Sequence, residues 1–149
     1  MGCKGIVFHG NINPLLIKTA AGPSYEEHWL KCTGDFYREI CKSYPEINVY
    51  IENMFDRDPD NLVKLGEGLK DVPNFGLCFD YAHANISPTD TKIWAEKMGP
   101  YTKHVHINDN DGENDSHLAL GEGSTDWDKF FELQKAYFPN ATVLIETSS

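Results

Sequence analysis

The sequence predicts an α/β fold in which a parallel sheet is covered by helices. Three observations predict it. Five short β-branched or aromatic segments alternate with four amphipathic ones; no linker or low-complexity tract interrupts them; and every predicted strand finishes on His, Asp or Glu. Repeated βα units imply parallel strands with helices packed against them. At 149 residues the chain suits one domain, residues 1–149, able to bury roughly two-thirds of its unfolded surface.

The first element, "GIVFHG" (5–10), reads as a short buried strand. A polar loop leads to an amphipathic helix from Ser24, where Ser24 and Glu27 have capping-box spacing and Tyr25, Trp29, Cys32, Phe36 and Ile40 recur at helical period. "INVYIEN" (47–53) is a strand. "DPDNLVKLGEGLKDV" is a helix with Asp58 as N-cap and Pro59 at the first helical position. Strand 75–80, helix 89–98, strand 102–108, helix 126–138 and strand 142–146 complete the alternation.

Composition limits the function. The formal charge of −10 disfavours a nucleic-acid surface, because phosphate binding calls for a basic stripe. Cys3, Cys32, Cys41 and Cys78 show no CxxC spacing, and no signal peptide is expected before them. Neither a disulfide framework nor a cysteine zinc site is expected, and a reducing cytoplasm is the expected setting. No apolar run approaches the ~20 residues of a membrane span.

The strand ends carry the functional signal. Side chains alternate along a strand, so residues two apart share a face. His9, Glu52, Asp80, His106 and Glu146 all belong to the face opposite the most apolar one. The apolar faces should pack on helices, leaving these five inward at the carboxyl ends, where parallel α/β folds build their sites. With His83, Asp109, Asp115 and His117 on adjoining loops, they form an oxygen-and-nitrogen set suited to Zn²⁺, Mn²⁺, Fe²⁺ or Co²⁺. Without a cation, grouped buried carboxylates repel one another and lose hydration.

Other residues have simpler readings. Asp58 and Asp126 are helix caps, His28 is a surface residue, and Trp29, Trp94 and Trp127 are packing. His104 shares the inward face one layer deeper and reads as a satisfied core histidine. Asp109 either orients a histidine beside the metal or serves a turn. The two "LGEG" stretches, 65–68 and 120–123, match no phosphate-binding motif.

Together, "GIVFHG", "YIENMF", "GLCFDYAH", "HVHINDN…DSHLALGEGSTDW" and "VLIET" resemble strands three to seven of the xylose isomerase-like TIM barrel superfamily. That superfamily includes endonuclease IV and many sugar or sugar phosphate isomerases and epimerases. The resemblance rests on the combination DxxH, HxND and DxH followed by GxG. By position, Glu52, Asp80, His106 and Glu146 resemble the four metal ligands of the epimerase branch. His9, His83, Asp115 and His117 match positions that hold additional zinc ions in the endonuclease branch.

Where endonuclease IV reads DTCH this chain has "DYAH"; Asn110 and Asp111 replace its Ser-Lys, Ser116 replaces an Arg, and the loop from His106 to Asp115 is shorter. The resemblance therefore implies a sugar isomerase or epimerase using Mn, Zn or Co, with Mg also admissible. Catalysis would be metal-assisted proton transfer beside a carbonyl, with Glu52 and Glu146 as base and acid. The alternative is a zinc-dependent endonuclease of abasic DNA.

A complete barrel has eight βα units and roughly 200 residues or more. Five strands imply an incomplete barrel: a fragment of a longer protein, or a chain that covers its open sheet by homo-oligomerisation. A non-catalytic incomplete barrel is the third reading. The expected partner is a small sugar, with neither nucleic acid nor membrane.

Overall fold

The computed structural model describes residues 2–13, residue 15 and residues 22–147. It contains one sheet of five parallel strands, β1 (Gly5–His9), β2 (Asn48–Glu52), β3 (Phe75–Asp80), β4 (Thr102–Ile107) and β5 (Thr142–Ile145), in the order β1-β2-β3-β4-β5. Strands adjacent in sequence are adjacent in space, so the sheet curls into half a barrel. Its pairing is in phase: His9 lies opposite Glu52, Asp80 opposite His106, and the N–H of Glu146 donates to the Ile107 carbonyl.

The helices are α1 (Gly22–Ser43), α2 (Asp60–Gly68), α3 (Tyr81–Asn85), α4 (Thr91–Met98) and α5 (Trp127–Tyr137), with a 3₁₀ turn at Gly99–Tyr101. The outward sheet residues Val49, Ile51, Leu77, Phe79, Val105 and Ile107 are buried against Trp29, Tyr37, Leu62, Leu65, Trp94, Met98, Phe130 and Leu133. This is the expected core, on the convex side. Every residue of β3 is buried, whereas most of β1 and all of β5 is exposed. A parallel strand is buried by neighbours on both edges and a helix above it, and among the described residues β1 and β5 each pair with one neighbouring strand only.

Three helix expectations are corrected. Helix α1 begins at Gly22, so Ser24 lies inside it and the Ser24–Glu27 pair is not its cap. Its buried stripe runs through Trp29, Tyr37 and Cys41, while Phe36 and Cys32 are exposed. In α2 the N-cap position is Pro59; the Asp58 carboxylate still accepts from Asp60 N–H. Helix α3 is an addition to the four predicted helices. Asp90 and Asp126 cap α4 and α5 by accepting from Lys92 N–H and Lys129 N–H. Among the described residues no helix is long and apolar enough to cross a membrane.

Candidate metal centre

The inward strand ends converge. One ligand atom from each of Glu52, Asp80, His106 and Glu146 lies within 4.8 Å of the others. His106 Nδ1 is 2.9 Å from Glu52 Oε1 and 3.2 Å from Glu146 Oε2. His9 stands at the rim, largely exposed, with Nε2 3.5 Å from Glu52 Oε2. Glu52 and Asp80 are buried at 3% and 0% exposure, whereas the Glu146 side chain remains 43% exposed. One carboxylate of the cluster therefore faces the open side.

A second group lies alongside, made of His83, Asp115 and His117. His83 Nδ1 lies 2.8 Å from the Asn53 carbonyl, and its Nε2 lies 3.2 Å from Asp115 Oδ2. His117 Nδ1 lies 3.0 Å from the Glu146 carbonyl, and its Nε2 lies 3.2 Å from Asp115 Oδ1. Both rings are thus anchored at Nδ1 by a backbone carbonyl and present Nε2 to one carboxylate, an arrangement that fixes the tautomer of a metal-binding histidine. The groups touch: His83 Nδ1 is 3.7 Å from Asp80 Oδ1 and 3.9 Å from Glu52 Oε1.

The chain places these side chains by local means. Asp80 ends β3 and caps α3, accepting from His83 N–H. Asn53, which sequence reasoning missed, clamps the same point: its side chain accepts from Asp80 N–H and donates to the Asp80 carbonyl. Its one signal was position, directly after Glu52 at a strand exit. Asp115 and His117 come from the loop after β4, which Asp109 organises. Asp109 accepts from the N–H groups of Asn110, Gly121 and Thr125 and from the Trp127 indole. Its carboxylate bonds to no histidine, so of its two readings the loop role is the one observed. His117 has φ 48°, a left-handed conformation that costs on the order of 1 kcal/mol outside glycine.

The electrostatics call for positive charge. Burial pushes Asp80 up to about 7, only partly offset by His83. Burial also raises Glu52, but the His106 hydrogen bond and charge outweigh it and hold the carboxyl below its usual range. For His83, His106 and His117 burial lowers the pKa, and the surrounding carboxylates and carbonyls outweigh it, so all three are raised. Asp80 Oδ2 is buried without a hydrogen-bond partner. An orphaned buried carboxylate oxygen is costly, and a divalent cation in the Glu52, Asp80, His106 and Glu146 cluster would supply the missing partner. The donor set fits such an ion.

A solved D-tagatose 3-epimerase-like protein superposes with TM-score 0.74 at 25% identity, over 97% of this chain and 55% of that one. The TTHB071 protein from Thermus thermophilus, solved after soaking with ZnCl₂, gives TM-score 0.72 at 24% identity, covering 98% and 56%. An uncharacterized protein of Methanocaldococcus jannaschii, MJ1311, is 29% identical over 119 residues, 74% of this chain and 40% of that protein. The chain spans about half the length of these relatives. The model of the xylose isomerase-like TIM barrel family matches residues 1–149, and the chain belongs to that family.

Proposed function

We propose that the chain carries the metal-dependent centre of a sugar or sugar phosphate isomerase/epimerase that moves a proton beside a carbonyl. The observation that carries this is the meeting of Glu52 and Glu146 on one imidazole, His106, with Asp80 in the same cluster. The similar D-tagatose 3-epimerase-like fold supports the substrate class.

Glu52, Asp80, His106 and Glu146 would hold the ion, and the oxygen-rich set with one nitrogen suits Mn, Zn or Co, with Mg admissible. The bound ion would supply Lewis acidity toward a substrate oxygen and so acidify the adjacent C–H. Glu52, held below the usual carboxylate range, stays ionised near neutral pH and can accept a proton. Glu146, on the open side, has the access needed to exchange a proton with a bound sugar carbon. Asn53 fixes Asp80 through its backbone N–H and carbonyl, and His83 fixes it through Oδ1.

The adjacent His83, Asp115 and His117 group favours a second reading, zinc-dependent hydrolysis of a phosphodiester in abasic DNA. The net charge of −10 argues against a DNA surface.

The test is solvent deuterium incorporation into a panel of ketoses, with Mn²⁺, Co²⁺ or Zn²⁺, beside nicking of an abasic duplex. Exchange at carbon beside the carbonyl, lost in Glu146→Gln while metal is retained, supports the proposal. Nicking without exchange supports the endonuclease reading, and unchanged exchange in Glu146→Gln defeats the assignment of that residue.

A further inference from the structure

One layer below the carboxylate cluster, on the same inner face, Cys78 and His104 sit side by side as register partners on β3 and β4. One ligand atom from each of Cys78, His104 and His106 lies within 4.8 Å of the others. The proposed reaction uses His106 alone of these three, and only through Nδ1. Its other nitrogen, Nε2, is buried and has no hydrogen-bond partner, in a residue only 5% exposed.

The flanking contacts hold the group in place. His104 Nδ1 is 2.6 Å from Thr142 Oγ1, which leaves Nε2 as the nitrogen free to bind. The His104 ring stacks on Tyr50 with centroids 5.1 Å apart and stands edge-on to His106, also at 5.1 Å. Cys78 is fully buried. An inner barrel layer is ordinarily filled by branched aliphatic side chains, whereas a thiol and two imidazoles meet here.

We propose that Cys78, His104 and His106 form a further cation site, for a soft or borderline ion such as Zn²⁺ or Cu⁺, which adjoins the carboxylate cluster above it and shares His106 with it. A thiolate with two imidazoles is a preferred set for these ions, and three protein ligands leave a coordination position open. As the ion bonds to Cys78 Sγ, the S–H bond breaks and its proton leaves to solvent; a coordinating thiol is deprotonated outright. With both centres filled, His106 would contribute one ring nitrogen to each, and its remaining ring proton would leave to solvent. His104, half-buried on the open inner face, gives the ion its way in.

The probe is Co²⁺, added to the full chain after chelator treatment and followed by near-ultraviolet absorption. Thiolate ligation gives intense sulfur-to-cobalt charge transfer, and a carboxylate–imidazole centre gives none, so the two sites report separately. The expected result is a saturable band that survives in Cys3→Ser, Cys32→Ser and Cys41→Ala. It should also survive in Glu146→Gln, disappear in Cys78→Ser, and need at least tenfold more Co²⁺ in His104→Phe, which keeps the Tyr50 stack. No band in the unmodified chain under excess Co²⁺, or a band that persists in Cys78→Ser, overturns the proposal. The unmodified chain decides by itself if a variant fails to fold. Absence of sugar exchange leaves this band untouched, so the site stands or falls apart from the proposed reaction.

Discussion

The Glu52 carboxylate lies 2.9 Å from His106 Nδ1, a contact that joins β2 to β4 across the end of β3. Asp80 ends the strand between them and is thereby enclosed, at 0% exposure. The burial that makes Asp80 a poor anion follows from the same curl of the sheet that gathers the cluster. Strands two apart in a flat sheet lie ~9.6 Å apart, and the Glu52 and His106 side chains span that gap over the end of β3.

That enclosure predicts a pH dependence. Asp80 is raised to about 7, so above its unfolded value of ~3.9 the folded chain bears the cost of ionising it. His83, His106 and His117 are raised as well. Their contribution is fully present below ~6.5 and is lost as pH rises through their folded values. Both trends have the same sign. In chelator the melting temperature is expected to be higher at pH 6 than at pH 8, by roughly 3 °C for each kcal/mol lost. Saturating Mn²⁺ or Co²⁺ should flatten the profile, because the cation favours the ionised carboxylates. A chelated chain that is more stable at pH 8 would contradict the charge balance of the cluster.

Asp109 predicts the opposite sign. Burial raises it, but the Thr125, Gly121 and Gly123 donors outweigh this and hold it well below the usual carboxylate range. Its stabilisation is therefore present above its unfolded value and lost as pH falls through the folded one. Asp109→Asn leaves one oxygen in place and turns an amide NH₂ toward backbone or indole donors. The expected cost is about 3 kcal/mol at neutral pH, shrinking in acid. Urea denaturation of both chains at neutral and acid pH measures it.

Much of this was legible in the sequence because strands ending on ligand residues carry a period-two signal. The five strands, and the inward phase of Glu52, Asp80, His106 and Glu146, follow from alternation alone. The α1 face was misread because stripes through Phe36 and through Tyr37 are neighbours on the helix, and Trp29 belongs to both. Which one is buried depends on how the helix sits on β1 and β2. Helix α3 was missed because five residues carry no period; Asp80 before His83 was its one local mark. The Cys78–His104 pairing needs the register of β3 against β4, which no local pattern fixes.

The glycines of the loop after β4 predict two different losses. Gly121 has φ 90° with open space beside it, so Gly121→Ala should cost about 1 kcal/mol from backbone strain alone. At Gly123 an added Cβ would collide with the Asn110 carbonyl and the Asp109 carboxylate, and neither can withdraw without opening the clamp. Gly123→Ala should therefore cost more than about 2 kcal/mol and weaken cation binding by the Asp115 and His117 group. Equal losses in the two variants, read by urea denaturation, would mean that the clamp does not organise the loop.

The outer strands predict self-association. On β1 the side chains of Ile6 and Phe8 are 42% and 37% exposed, and on β5 those of Val143 and Ile145 are 46% and 58% exposed. Among the described residues both strands also present an unpaired backbone edge, the feature that templates further strand addition. Fully covering one such side chain contributes roughly 1.5–3 kcal/mol, so a contact that buries either strip offsets much of the cost of association. The expected behaviour in sedimentation velocity is a concentration-dependent dimer or larger species. Val143→Lys combined with Ile145→Lys should shift it toward monomer while leaving the inward cluster, on the other side of the sheet, able to bind its cation. A monomer at every concentration in the unmodified chain would show that these strips remain solvated and that the half-barrel is stable with both edges open.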